Sequence, residues 1–179
     1  MSEEVPGPKQ RLFFALWPSD ELRRSIEEAT VGIARHSGGH VVPARNFHVT
    51  LAFLGDISRE QLPAVLAAGA ATAAPRFSFV LDQVQVWPRS NVLVLDAPRT
   101  PPALVTLVDH LLFNLLEKQI KLKREVYRPH VTLARSLSRP RPLQKVGPFE
   151  WPVNEFALLA SSLGAEEAKY TVLERWPLS

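Results

Sequence analysis

Two histidines of this chain occur in identical local sequences. Residues 48–52 read His-Val-Thr-Leu-Ala, and residues 130–134 read His-Val-Thr-Leu-Ala again. An imidazole has an unperturbed pKa near about 6.5, so two of them can serve near neutral pH as one protonated acid and one neutral base. His48 and His130 are therefore candidates for the two proton transfers of phosphate-ester cleavage, a chemistry that needs no metal ion.

Each histidine has a threonine two residues later. Side chains alternate between the two faces of a strand, so the pattern places His48 with Thr50, and His130 with Thr132. The opposite faces carry apolar residues for a core, namely Phe47, Val49, Leu51 and Phe53 in the first copy and Val131 and Leu133 in the second. A threonine hydroxyl can donate to phosphate oxygens where negative charge develops. Each copy thus offers one imidazole and one hydroxyl to a ligand.

Other interpretations of these histidines exist. A lone strand histidine is more often a packed or surface residue than a catalyst, but its recurrence with a matched hydroxyl favours catalysis. A metal site would need further ligands, and the chain has no cysteine and no nearby carboxylate cluster to supply them. We therefore expect no metal and no cofactor. His36, His40 and His110 lack the companion threonine and are expected to be structural.

Length and composition fit a folded enzyme. A chain of 179 residues with 46% hydrophobic residues can form one globular unit or two small lobes that share a core. The absence of cysteine excludes disulfides, thiolate metal sites and a cysteine nucleophile. Neither a signal peptide nor an apolar run of about 18 residues is evident, so we expect a cytoplasmic protein without a membrane segment. We predict a flexible tail over residues 1–10 and one catalytic domain over residues 11–179.

Positive charge is concentrated in one segment. Residues 118–145 contain nine basic residues and one acidic residue, whereas the rest of the chain contains twelve basic and seventeen acidic residues. A polyanionic ligand can use such a field, although a solvated charged surface is an equally good interpretation of any single run.

The periodicity of apolar residues predicts strands and helices in alternation, followed by paired strands. Strands are predicted at residues 11–17, 46–54, 76–87, 91–96, 129–135, 153–163 and 169–176. Helices are predicted at residues 19–35, from a Ser58–Gln61 capping box to Ala73, and from Pro101 to Lys121. Residues 137–148 are predicted to be a Pro-rich basic loop. This order indicates an α+β fold with mainly antiparallel sheets.

The sequence resembles the 2H phosphoesterase superfamily, and within it the family of RNA 2′,3′-cyclic phosphodiesterases, also called 2′-5′ RNA ligases. The resemblance rests on the paired motifs NFHVTLAFLG and RPHVTLAR, on the opening RLFFALWP, and on the closing segments SSLG and YTVLERWPL. It covers about residues 11–178. It implies a two-lobed fold with pseudo-twofold symmetry, in which each lobe contributes one motif strand to a central cleft.

The resemblance also implies roles for individual residues. His48 is expected to protonate the leaving 3′-oxygen, and His130 is expected to activate water, which leaves a 2′-phosphate end. Thr50 and Thr132 are expected to bind the phosphate. Arg135 matches a basic residue often found after the second motif. Strict alternation would turn Arg135 toward the core, so its contact with phosphate requires the strand to end or bend there.

Phe47 is a further candidate for substrate binding, by stacking on a base. Its position on the apolar face favours packing instead. Arg139, Arg141 and Lys145, in the predicted loop, can either steer RNA electrostatically or form an ordinary solvated connection.

Several functions remain open at this point. The expected partner is RNA with a 2′,3′-cyclic phosphate end, or a cyclic nucleotide, bound by a monomer. The same two histidines could instead join such ends to 5′-hydroxyls through 2′-5′ linkages. A third interpretation is a module that binds RNA ends without turnover. The physiological substrate, whether a tRNA fragment, a short oligonucleotide, a cyclic mononucleotide or a cyclic phosphate of ADP-ribose, is not fixed by the sequence.

Overall fold

The computed structural model describes residues 9–123, 126–139, 143–163 and 168–179. Most of the predicted N-terminal tail lies outside these ranges, and Gln10 already belongs to the first strand. The strands are β1 (Gln10–Leu16), β2 (His40–Val41), β3 (Val49–Ile57), β4 (Phe77–Trp87), β5 (Val92–Asp96), β6 (His130–Arg135), β7 (Gln144–Val153), β8 (Glu155–Leu163) and β9 (Ala168–Pro177). The helices are α1 (Asp20–His36), α2 (Leu62–Ala71) and α3 (Pro102–Glu117).

The first sheet has the strand order β3-β1-β8-β9, with antiparallel neighbours. Its central strand β1 is buried on both faces, which explains the unbroken apolar run in the sequence. Leu12 and Phe14 point into the main core. Phe13 and Ala15 point to the other face, where they form a second, smaller apolar cluster.

The second sheet has the strand order β2-β6-β5-β4-β7 and is also antiparallel. It includes two strands that the sequence did not predict, namely β2 and β7, and residues 144–148 of the expected loop form the first half of β7. Pro148 and Pro152 conceal this strand from a pattern search. A proline cannot donate to a sheet, but β7 lies at the edge and pairs only with β4, so prolines are tolerated there.

The three helices cover the two sheets. Helix α1 packs against β7, β2 and β6, whereas α2 and α3 pack on each other and against β9 and β3, respectively. The predicted N-cap of α1 is confirmed, since the Ser19 hydroxyl accepts a hydrogen bond from the Leu22 amide at 3.2 Å. Helix α3 ends four residues before the predicted Lys121, and Gln119 just beyond it has a left-handed φ of 60°.

Helix α2 begins later than predicted. Half of the expected capping box is present, because the Ser58 amide donates to the Gln61 side chain at 3.1 Å. Regular helix starts only at Leu62, with Pro63 in its first turn, where the missing amide hydrogen costs no helical bond.

The two motif strands come from different sheets and lie against each other. β3 is an edge strand of the first sheet, β6 lies inside the second, and the two are in contact. Residues 44–46 form a short 3₁₀ helix, so β3 begins at Val49 rather than at residue 46, and His48 lies immediately before it. The predicted α+β fold with antiparallel sheets is confirmed, and its topology brings the two copies of the repeat together.

Candidate active site

Both motif strands are interrupted by a β-bulge at the same position of the repeat. In β3, Ala15 of β1 pairs with Thr50 while Phe14 pairs with Ala52, so Leu51 is an extra residue. In β6, Val94 of β5 pairs with Thr132 while Leu93 pairs with Ala134, so Leu133 is the extra residue. A bulge breaks the two-residue alternation of side chains. Both members of each Leu-Ala pair are consequently buried.

The bulges turn the next residue of each strand outward. Arg135 is exposed, although strict alternation placed it on the core face. The bend that its predicted role requires is thus present. Phe53 holds the equivalent position in the first copy and is 45% exposed. The prediction that Phe53 faces the core is therefore wrong, because it assumed an unbroken strand.

His48 is held by its own backbone and by aromatic rings. Its Nδ1 lies 2.7 Å from the carbonyl oxygen of Asn46, and its Nε2 lies 3.1 Å from the hydroxyl of Thr50. The imidazole packs on Phe13 and Tyr170, with ring centroids 5.0 and 5.3 Å away, and Trp17 is stacked at 6.2 Å. The second apolar cluster of the first sheet thus forms the floor beneath this histidine.

His130 has the same backbone contact. Its Nδ1 lies 2.8 Å from the carbonyl oxygen of Arg128. Its ring packs on Trp87 at 4.3 Å, and the Arg128 guanidinium lies 4.6 Å from the same indole. The first copy repeats this arrangement, with Arg23 4.3 Å from Trp17. In each motif, the histidine ring therefore packs on a tryptophan whose indole also contacts an arginine guanidinium.

The backbone contacts decide which ring nitrogen can exchange protons. A carbonyl oxygen can only accept a hydrogen bond, so Nδ1 of His48 and of His130 must carry the hydrogen in each contact. In the neutral ring the lone pair then resides on Nε2. Nε2 is therefore the atom that takes up or gives away a proton in both residues.

Two adjoining pockets surround the motif residues. The first, which we call the Arg135 pocket, has a volume of about 220 Å³. The residues that line it include His40, His48, Thr132, Arg135 and Tyr170. His40 was expected to be structural, but it lies opposite Arg135 in the pairing of β2 with β6 and faces this pocket. Its companion threonine is absent, so the repeat did not reveal it.

The second pocket, which we call the Phe53 pocket, has a volume of about 290 Å³. Thr50, Phe53, Trp87 and His130 line it together with apolar side chains from α3, while Lys123 and Arg128 supply positive charge. The two pockets adjoin at the contact between His48 and Thr50. Each pocket thus combines the histidine of one motif with the threonine of the other.

Phe47 does not reach either pocket. Its side chain is 3% exposed and belongs to the main core, so it cannot stack on a base, and its expected role in substrate binding is corrected to packing. Phe53 is 45% exposed and lines the second pocket. A search for aromatic residues just beyond each motif would have found it, but only with knowledge of the bulge.

The other basic candidates lie away from the two pockets. Lys145 is on the edge strand β7 and forms a 3.5 Å ion pair with Asp82. The amide of Arg139 donates to the Ser37 carbonyl at 3.0 Å and so ties its segment to the end of α1. Arg141 lies outside the described residues. Among the described residues of the basic segment, Lys123, Arg128 and Arg135 line the pockets.

The surroundings of the two histidines disfavour positive charge. Burial is the main cause that lowers the pKa of His48 from 6.5 to about 4; the charges of His130, Arg135 and Arg23 act in the same direction, and the hydrogen bond to Asn46 opposes them. Burial also lowers the pKa of His130, but the carboxylate of Asp96 and the hydrogen bond to Arg128 oppose this. A bound phosphate anion would compensate these positive charges and favour protonation of the pair.

Two further observations concern ligands and membranes. Among the described residues, no group of three or more His, Asp or Glu side chains is arranged to hold a metal ion. Within the same residues, no helix is both long and apolar enough to cross a bilayer.

Comparison with protein families places the chain among phosphoesterases. The family model described as LigT like Phosphoesterase matches residues 16–94. The RNA 2′,3′-cyclic phosphodiesterase of Escherichia coli (strain K12) is 34% identical over 172 residues, which cover 95% of this chain and 97% of that protein. The protein of the same name from Thermus thermophilus is 33% identical and covers 94% of this chain and 90% of its own length.

Solved structures show the same relationship. The apo form of E. coli LigT superimposes with a TM-score of 0.88 and 34% identity, covering 97% of this chain and 99% of that one. The complex of E. coli LigT with 3′-AMP has a TM-score of 0.87 and 33% identity, with 96% and 99% coverage.

The low pKa of His48 predicts a measurable effect of pH and of phosphate. The unfolded chain binds a proton at His48 near pH 6.5, whereas the folded chain does so only near pH 4. The free energy of unfolding should therefore fall by about 2–3 kcal/mol as the pH decreases through this range. Urea unfolding of the wild type and of His48→Ala at several pH values measures this, and the free energy of unfolding of the variant should depend less on pH.

The effect of phosphate is measured by NMR titration, in which inorganic phosphate should raise the titration midpoint of the His48 imidazole. A His48 midpoint near 6.5 in the absence of phosphate would contradict the lowered pKa of this histidine.

Proposed function

Because this chain belongs to the LigT-like phosphoesterase family, we propose that His48 and His130 are the acid and the base with which it opens 2′,3′-cyclic phosphate ends of RNA. The chain is an RNA 2′,3′-cyclic phosphodiesterase, a hydrolase that acts on phosphodiester bonds. The observation that supports the residue assignment is that each of the two pockets combines the histidine of one motif with the threonine of the other, and that His48 of one pocket contacts Thr50 of the other.

The proposed reaction is one in-line displacement at phosphorus. His130 takes a proton from water through Nε2 as the water oxygen forms its bond to phosphorus. The bond from phosphorus to the 3′-oxygen breaks, and protonated His48 donates the proton of Nε2 to that oxygen. The product is a 2′-phosphomonoester with a free 3′-hydroxyl. Each imidazole ends in the protonation state in which the other began, so a proton exchange with solvent resets the site.

The phosphate oxygens are proposed to bind to the hydroxyls of Thr50 and Thr132 and to the guanidinium of Arg135. A guanidinium can donate two parallel hydrogen bonds to a phosphate, and its charge offsets the charge that develops in the transition state. Arg135 is exposed in the same pocket as His48 and Thr132, which supports this contact.

The base of the terminal nucleoside is proposed to lie in the Phe53 pocket. The pocket presents the exposed ring of Phe53 and apolar side chains of α3, and every base has an aromatic face that can stack on such a ring. Lys123 and Arg128 at this pocket can meet neighbouring phosphates of the RNA chain. Stacking does not distinguish bases strongly, so we expect weak sequence preference.

Replacement of either histidine by alanine should lower kcat by about 10²–10⁴, because each change removes one proton transfer. The measurement is hydrolysis of a short RNA with a 2′,3′-cyclic phosphate end, with products resolved by length and phosphate position. His36→Ala is a matched control, since this exposed histidine contacts the Gly32 carbonyl within α1, and the variant should keep the wild-type rate. Near-normal turnover of either motif variant would show that the repeat is structural.

The same assay separates the competing functions. With a 5′-hydroxyl acceptor added, a hydrolase should still give the 2′-phosphate product, whereas a ligase should give a longer, 2′-5′-linked product. A binding module should form a complex and leave the substrate intact.

Phe53→Ala should weaken substrate binding, because removal of the ring costs about 1–3 kcal/mol of stacking on one base. The loss should appear mainly as a higher KM. Phe113→Ala is the control, since this ring is 61% exposed on α3 and does not line the pocket. If both variants have the same KM as the wild type, the base lies elsewhere.

A further inference from the structure

One buried carboxylate lies beside His130. Asp96 ends β5 and is directly opposite His130 in the antiparallel pairing with β6. Residues paired in this way direct their side chains to the same face, with Cβ atoms about 4.5–5.5 Å apart. Asp96 is only 6% exposed. The charged groups that act on His48 are instead basic, namely His130, Arg135 and Arg23. His130 thus has a buried carboxylate beside it, whereas the charged groups that act on His48 are basic.

The position of Asp96 is fixed by its contacts. Its Oδ2 accepts a hydrogen bond from the Gln85 side-chain amide of β4 and lies 3.8 Å from Nη2 of Arg128. Its Oδ1 is buried and has no hydrogen-bond partner among the described residues. Arg128 in turn rests on Trp87, the ring on which His130 packs. Oδ2 of Asp96 is therefore held in place, whereas Oδ1 has no hydrogen-bond partner among the described residues, and the whole side chain lies on the same face of the sheet as the His130 imidazole.

The charge of Asp96 depends on these neighbours. Burial raises the pKa of Asp96, and Asp82 on β4 raises it further, whereas the Gln85 hydrogen bond and the charges of Arg128 and His130 lower it. Asp82 itself is paired with Lys145. An unpaired buried charge is costly, so a positive charge on His130 compensates Asp96 and is compensated by it.

We propose that Asp96 is a positioning residue that stabilises the imidazolium form of His130 and thereby strengthens this histidine as the base of the reaction. The proposal rests on the proposed function, in which His130 becomes positively charged as it takes the proton of water. Nδ1 of His130 already donates to the Arg128 carbonyl, so Asp96 acts through its charge. His48, whose charged neighbours are basic, is correspondingly suited to give its proton away.

A titration without substrate tests the proposal directly. Asp96→Asn keeps the size of the side chain and an oxygen for Gln85 but removes the charge. In NMR titrations of the imidazoles, the midpoint of His130 should move to lower pH in this variant and return toward the wild-type value in Asp96→Glu. Asp56→Asn is the matched control, because this exposed carboxylate lies on β3 beside Arg11 and should leave His130 unchanged. An unchanged His130 midpoint in folded Asp96→Asn would overturn the proposal.

Kinetics give the second readout. The two limbs of the profile of kcat/KM against pH report the macroscopic pKa values of the histidine pair in the free enzyme, so one limb should move to lower pH in Asp96→Asn. The rate on the plateau should fall by about tenfold, because a weaker base transfers the proton less readily, while KM changes little. A purely structural role would lower stability and leave the limb in place, which would contradict the proposal. If the proposed function itself is wrong, the titration effect on His130 persists although the kinetic effect does not.

Discussion

The site depends on one hydrogen bond that is made twice. In each motif, Nδ1 of the histidine donates to the carbonyl of the residue two positions earlier, at 2.7 Å for His48 and 2.8 Å for His130. This contact fixes the ring orientation and leaves Nε2 as the atom that exchanges protons. Its geometry is set by the backbone that enters each motif strand. The two sheets place the motif strands against each other, and we propose that both Nε2 atoms meet one phosphate there.

The repeat is symmetric in backbone but not in chemistry, and the reaction requires this difference. Equivalent bulges turn Phe53 outward in one copy and Arg135 in the other, so one pocket can take a base and the other a phosphate charge. One histidine must give a proton while the other takes one. His48 lies on an aromatic floor among basic residues, whereas His130 has Asp96 as its neighbour. Nearly identical strands thus provide environments suited to opposite proton transfers.

Much of this arrangement could be predicted from the sequence. The exact repeat of five residues identified the histidines and threonines, and apolar periodicity located most strands and the N-cap of α1. Such signals are local. Strand β7 was missed because prolines, tolerated at a sheet edge, hide the strand pattern. Phe53 was assigned to the wrong face because a bulge leaves no mark in the sequence that alternation can detect.

The neighbours of the motif residues could not be predicted either, but for a different reason. Asp96 meets His130, and His40 meets Arg135, through pairing between strands that are distant in sequence. The register of such pairs follows from the whole sheet rather than from either segment. Phe47 shows the converse, since its burial agrees with the periodicity of the apolar residues that follow it, while the suggestion that it binds a base came from residue type alone.

The chemistry of the leaving group tests most directly whether His48 is the acid and His130 is the base. When the 3′-oxygen of the cyclic phosphate is replaced by sulfur, the 3′-sulfur leaves phosphorus with little need for a proton, so cleavage should not depend on the general acid. The rates of His48→Ala and His130→Ala on the oxygen and sulfur substrates are the quantities to measure. We predict that sulfur restores His48→Ala substantially and leaves His130→Ala slow, because activation of water is unchanged. Restoration of His130→Ala instead, or of both variants, would contradict the assignment of acid and base.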